Sequence, residues 1–304
     1  MSYLSVDKLS RSYGKIQAVR EFSLEVQRGQ IMALVGPDGA GKTTLIRVLC
    51  HLLDPDSGTV TLEGRDLLAN FESFKSHLGY MPQTFSLYLD LSVEENLSFY
   101  AGIYGVVGEA YRKKRDYLYT FSNLAPFADR RAGQLSGGMK QKLALSCALV
   151  HDPEILILDE PTTGVDPLSR RQFWEILLEL KRQGATIIVS TPYMDEVARA
   201  DRAIFMFDGR KLSEGTPSEL AAQFSGLIYF LDAIPTTGLV AKLNSIEGLS
   251  ARRFGAGLHL YIGKEDRIER FGNPLALAGI DVVQLKPITP GLEDRFIQLM
   301  ESHG

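Results

Sequence analysis

Residues 36–44, GPDGAGKTT, place three glycines, a lysine and two threonines in the spacing GxxxxGK[ST]. Gly36, Gly39 and Gly41 let the backbone curl so that successive N–H groups point inward as an anion nest, with Pro37, Asp38 and Ala40 between them. A helix that starts at Lys42 adds the positive end of its dipole. Lys42 can then reach terminal phosphates, and the hydroxyl of Thr43, followed by Thr44, can ligate Mg²⁺. A second stretch, ILILDEP at 155–161, sets four aliphatic residues before Asp159 and Glu160. Charge delivered to the end of a buried strand needs a counter-charge. Mg²⁺ supplies one: Asp159 holds the metal, directly or through water, and Glu160 is placed to polarise an attacking water as general base. Together the two stretches point to a P-loop nucleotide hydrolase using Mg²⁺.

The elements around these residues must form an α/β domain. QIMALVG, EILILD, TIIVS and AIFMFDG read as short buried strands. A helix should run from Lys42 through TTLIRVLCHLL, and SRRQFWEILLELKRQG should form another, with Ser169 as its N-cap and Gly184 as its stop. Strands alternating with helices imply a parallel sheet covered on both faces. Residues from about 84 to 150 turn helical, and VEENLSFYAGIY and MKQKLALSCALV show apolar i, i+4, i+7 spacing. The βα rhythm ends near residue 222. Residues 226–304 read as strand LIYFLDAI, helix TTGLVAKLNSI, strands LSARRF and LHLYIG, helix KEDRIERFGNPLALAG, strand DVVQLKPI and a last helix GLEDRFIQLM, the ferredoxin-like βαββαβ order with one extra helix.

Bulk properties narrow the class. The 304 residues carry a formal charge of −4, so no basic field argues for nucleic acid as a partner. The N-terminus lacks an apolar h-region, so no signal peptide is expected. No apolar run reaches the ~18 residues of a spanning helix, so a second chain must cross any membrane this one serves. Cys50 and Cys147 fall at apolar helical positions and read as buried thiols. The histidines at 51, 77, 151, 259 and 303 show no metal-ligand spacing. The basic run YRKKRD at 111–116 reads as a solvated helix face, with contact to anionic lipid as the alternative.

LSGGMKQ, from Leu135, narrows the class further. Ser136, Gly137 and Gly138 can cap a helix, and the glycines permit close backbone approach. A second phosphate-facing helix start in one chain fits a nucleotide held by another chain. Here residues 3–222 resemble the ATP-binding subunits of ABC transporters. RSYGKIQAV is similar to the A-loop, which implies that Tyr13 stacks on adenine. GPDGAGKTT is the Walker A element, with Asp38 where Asn is common. YMPQ ends in Gln83, similar to the Q-loop glutamine that touches Mg²⁺ and senses the membrane partner. LSGGMKQ resembles the signature, ILILDEP Walker B, and TTGVDP the D-loop with Asp166. The resemblance implies a P-loop ATPase of ABC type, with residues 1–222 as ATP-binding domain, a helical subdomain at about 84–150 and a small C-terminal α/β domain at 226–304. It implies a head-to-tail dimer in which ATP on one Walker A is covered by Ser136, Gly137 and Gly138 of the other subunit. It also implies a multi-span permease, touched through Phe85, Leu87 and Tyr88, and a place on the cytoplasmic face of the inner membrane. TPGLEDRFIQLM resembles the tail of ABC-2-type and drug-exporter ATPases, and other stretches resemble the first half of tandem exporter subunits.

One position departs from the family. STPYMDE stands where STHxMDE is usual, and the histidine of that pattern contacts the γ-phosphate. Pro192 offers no donor from side chain or backbone. The reading is a site that binds ATP but hydrolyses it slowly, which favours a heterodimer with a second ATP-binding subunit over a homodimer. A soluble ABC ATPase acting on nucleic acid or ribosomes, and a mainly regulatory ATP-binding subunit, are the rival readings.

Overall fold

The structure is a computed structural model that describes residues 2–84 and 86–303, and it divides into two compact units, Met1–Pro217 and Ser218–Gly304.

The first unit holds two sheets. The strands Ile16–Val26, Leu4–Tyr13, Ser57–Leu62 and Arg65–Asp66 lie in that order in an antiparallel sheet. The second sheet runs Arg210–Gly215, Arg202–Phe207, Ile31–Val35, Thr186–Thr191, Ile155–Asp159 and Leu78–Met81, parallel except for its first pair. Every residue of Ile31–Val35, Ile155–Asp159 and Thr186–Thr191 is buried. Unbroken aliphatic runs of this kind suit central strands covered on both faces. The helix Lys42–Leu49 lies against the sheet through Leu45, Ile46, Val48 and Leu49, all fully buried in the cluster that also takes in Ile157, Ile188 and Ile204. Each such side chain contributes about 1.5–3 kcal/mol by leaving water.

The helix after the glycine loop is shorter than its apolar pattern predicts. It ends at Leu49, not near Leu53, because His51 turns left-handed at φ +49. Its N–H donates to Val48 O at 2.9 Å while Leu52 N–H donates to Arg47 O at 2.8 Å, a Schellman closure. The helix expected to start at Ser169 begins at Pro167, and its N-cap is Asp166, whose carboxylate accepts from Ser169 N–H at 2.9 Å. Proline at the first helical position is pre-set for helical φ.

Helices Val93–Ile103, Gly108–Ser122 and Gly137–Ala148 form the helical lobe. Ser92 and Glu95 cap the first of these reciprocally, at 3.1 and 2.7 Å.

In the second unit, strands Leu249–Phe254, Gly257–Ile262, Leu227–Leu231 and Leu285–Ile288 lie in that order, every neighbour antiparallel. Helix Thr237–Asn244 is capped by Thr236, and Leu292–His303 closes the chain. The single helix expected over 264–279 is instead a 3₁₀ turn, Ile268–Phe271, and a short helix, Gly272–Leu277. Pro274 brings no N–H, so it is tolerated only in the first turn of a helix and not in the middle of a longer one.

Candidate functional site

Parallel strands of the larger sheet end along one edge, and their register decides which residues share it. Val35 is level with Thr191, Asp159 with Ser190, and Met81 with Leu158. Just beyond the strands therefore lie Gly36, Pro192 and Glu160, with Gln83 two residues past Met81. This is the position where open α/β sheets bind ligands. Asp38, Gly39, Ala40, Gly41, Lys42, Thr43, Thr44, Gln83 and Glu160 line one cavity of about 210 Å³.

The Lys42 ammonium is buried inside this loop. It donates to Gly36 O at 2.8 Å and Pro37 O at 3.1 Å and pairs with Glu160 Oε1 at 3.1 Å, so its three donor positions all have partners. Glu160 Oε2 accepts from Gln83 Nε2 at 3.0 Å and from Thr163 Oγ1 at 3.2 Å. Its backbone sits at φ +46, a conformation rare outside glycine, and its N–H donates to Ser190 Oγ at 2.8 Å.

Asp159 is fully buried. Its Oδ1 accepts from Ser190 Oγ at 2.7 Å and Thr43 Oγ1 at 3.1 Å, whereas Oδ2 is buried with no partner among the described residues. Burial pushes its pKa up, opposed by the hydrogen bonds from Ser190 and Thr43. A buried carboxylate oxygen without a donor, beside a threonine hydroxyl, suits a hard cation with oxygen ligands. Thr43, Asp159 and the amide oxygen of Gln83 are the groups that would hold Mg²⁺, which when bound neutralises charge on the β and γ phosphates.

The other expected contacts lie outside the cavity. Tyr13 is 45% exposed at the end of its strand, with Arg11 Cζ 5.5 Å from the ring centroid. Ser136 caps helix Gly137–Ala148, its Oγ accepting from Met139 N–H at 3.3 Å, and Ser136 and Gly137 are exposed. The two signature glycines differ. Among the described residues a Cβ on Gly137 would meet only Gly164 O, at 3.8 Å, whereas one on Gly138 would fall 2.6 Å from Ser169 Oγ and 2.7 Å from its Cβ. The absence of a Cβ at Gly138 thus lets helix Gly137–Ala148 pack against Ser169 of helix Pro167–Arg182. Gly138→Ala should therefore destabilise the chain by about 1–3 kcal/mol, with Ser169→Gly relieving the clash and Gly137→Ala folding normally. Urea unfolding of the three proteins checks this.

Leu87 is buried at 8% exposure and therefore packs inside the lobe instead of facing a partner, whereas Tyr88 is half exposed and meets Phe99 edge-on at 4.9 Å. Phe85 lies outside the described residues. In the basic run, Lys113 pairs with Glu109, Lys114 with Asp152, and Arg115 with Asp116 and Glu94. Sequence reasoning missed Ser190, Thr163, Thr162 and Glu196, hydroxyls and a carboxylate that brace the edge. The hydroxyl-rich strand ends DEPTT and ST were the signal.

The family model described as ABC transporter matches residues 19–163. The "Probable multidrug ABC transporter ATP-binding protein YbhF" of Escherichia coli (strain K12) is 40% identical over 291 residues, which covers 94% of this chain and 50% of that protein, so the chain spans half the length of that relative. The "Nod factor export ATP-binding protein I" of Paraburkholderia xenovorans (strain LB400) is 40% identical over 224 residues, 73% of this chain and 74% of that protein. Among solved structures, an ATP-binding subunit of an ABC transporter aligns at TM-score 0.66 and 32% identity, covering 73% of this chain and 93% of that one. The dimeric post-hydrolysis MJ0796 cassette bound to ADP and Pi aligns at TM-score 0.64 and 25% identity, covering 70% and 98%. With its glycine loop, buried Asp159–Glu160 pair and Gln83 on one sheet edge, the chain belongs to the ABC transporter family as an ATP-binding cassette.

Proposed function

We propose that this cassette energises an exporter, of drug type, through a separate multi-span permease, as a peripheral subunit on the cytoplasmic face of the inner membrane. Its dimer is head-to-tail. ATP held by Gly36–Thr44 of one subunit is enclosed by Ser136, Gly137 and Gly138 of the other, and Tyr13 stacks on the base. Glu160 draws a proton from the water that attacks the γ-phosphate in line, and Lys42 leaves its carbonyl partners to meet the phosphates. The observation that carries the reading is that Ser136 and Gly137 are exposed and line no part of the chain's own phosphate cavity. The export name of the Nod factor proteins supports the direction, the multidrug name of YbhF supports the drug type, and the dimeric MJ0796 cassette supports the assembly.

Pro192 lies one residue past Thr191 on the same edge and has no donor to offer. The native site therefore binds ATP and hydrolyses it slowly, and the active assembly is a heterodimer with a second ATP-binding subunit. Loss of one preorganised donor typically costs about 10²–10³ in rate. Pro192→His should raise turnover of the purified chain towards that factor while leaving ATP affinity nearly unchanged. Phosphate release and fluorescent-nucleotide titration measure the two. Robust turnover by the native chain, not raised by the substitution, overturns the impairment and returns the assembly to a homodimer.

A further inference from the structure

A carboxylate outside the cavity ties its two catalytic loops together. Glu196, in the short helix Met194–Val197, is 2% exposed. Thr162 Oγ1 donates to it, 2.8 Å from Oε1 and 3.0 Å from Oε2, and Thr191 Oγ1 donates to Oε2 at 2.6 Å. Thr162 lies two residues past Glu160, and Thr191 is the last residue before Pro192. Arg170, from the helix capped by Asp166, brings Nε to 3.9 Å from Glu196 Oε1, donates through a terminal nitrogen to Asp195 at 3.2 Å, and stacks at 4.0 Å over the Tyr193 ring. Three segments therefore meet at one buried anion: the turn after Glu160, the strand end before Pro192 and the helix after Asp166.

Burying an anion is costly unless hydrogen bonds and a counter-charge answer it. Glu196 has both, and what it holds is the backbone turn that carries Glu160. Among the described residues the side chain of Glu160 is gripped by Lys42, Gln83 and Thr163. Lys42 and Gln83 line the cavity and must change partners when phosphates enter, whereas Glu196 does not line it. We propose that Glu196 is a positioning residue for hydrolysis, holding the Thr162 turn in register with the Thr191 strand end so that Glu160 stays aimed while its own side-chain partners exchange. This inference rests on Glu160 as the general base.

The test uses the full chain with Glu196→Ala and Glu196→Gln, single-turnover hydrolysis with protein in excess, fluorescent-nucleotide affinity, and amide exchange at Thr163 and Val165. These two N–H groups donate to Glu160 O and Thr162 O, both at 3.2 Å, and so report on the turn itself. Glu196→Ala should slow hydrolysis about 10–100-fold, the loss expected for hydrogen bonds to a charged group. ATP affinity should stay within a few-fold and exchange at both amides should accelerate. Glu196→Gln, which keeps an acceptor, should recover part of the rate and of the protection. An alanine variant whose affinity falls as far as its rate, or whose two amides stay protected, overturns the proposal, as does a glutamine variant no better than alanine. If Glu196→Ala does not fold, Thr162→Val and Thr191→Val remove the same bonds from the other side and are held to the same outcomes. A Glu160→Gln protein that still hydrolyses ATP overturns the base assignment instead, and with it the catalytic half of the inference, while amide exchange continues to report on the turn.

Discussion

Glu160→Gln should bind ATP at least as tightly as the native chain yet hydrolyse it about 10²–10⁴ times more slowly, the range a positioned general base contributes. Tight binding follows from the buried pair. In the native chain the Glu160 carboxylate, 3.1 Å from the Lys42 ammonium, competes with phosphate for that charge. An amide competes less well, so the lysine is freer to meet the nucleotide, and the nest at Gly36–Thr44 is untouched. The fold survives because Lys42 keeps Gly36 O and Pro37 O as acceptors, and the amide retains an oxygen for one of its former donors. The loss therefore falls on the chemical step: a neutral amide cannot take the proton from water. Fluorescent-nucleotide titration and phosphate release, run in the native and Pro192→His backgrounds, separate the two effects. Turnover within a few-fold of native would remove Glu160 from the role of base.

Much of this site was legible because its parts are carried by buried strands, whose aliphatic runs end abruptly at charged or glycine residues. QIMALVG into GPDGAGKTT, and ILIL into Asp159 and Glu160, each announce a strand and what it delivers. The register that aligns them needs only that the strands be parallel neighbours. Less legible was anything decided by a local dihedral or a tertiary contact. Apolar spacing continues past Leu49 through Leu52 and Leu53, and nothing in hydrophobicity says that His51 will turn left-handed. Asp166 and Ser169 are both good caps by type, and Pro167 between them decides in favour of Asp166. That Gly138 also packs against Ser169, 31 positions on, is a tertiary contact of the same kind. Glu196 lies in the short helix Met194–Val197. It is buried because two strands bring Thr162 and Thr191 to the same point, which no local pattern records.

Gly41→Ala should cost more than Gly39→Ala in the same phosphate loop, and it should remove nucleotide binding together with stability. Two separate penalties meet there. Gly41 is the N-cap of helix Lys42–Leu49 and holds φ +100, where a β-carbon costs roughly 1–2 kcal/mol. That carbon would also lie 2.2 Å from the carbonyl oxygen of Ala18, and neither atom is the free end of a flexible side chain. The strand Ile16–Val26 or the loop must then shift, at a further ~1–3 kcal/mol. Gly39→Ala is the control. Gly39 shares the positive φ, at +80, but a Cβ there meets none of the described residues within 4 Å, so only the dihedral penalty applies. Urea unfolding should rank the proteins native, Gly39→Ala, Gly41→Ala, and the rise in melting temperature with ATP and Mg²⁺ should vanish for Gly41→Ala alone. The reason for that selectivity is geometric. The nest works through N–H groups aimed at a common point, and the displacement forced at Gly41 moves Lys42 and Thr43 with it, whereas Gly39→Ala leaves the helix start in place. Equal stability for the two variants would show that the Ala18 contact yields freely and that the hairpin does not constrain the loop.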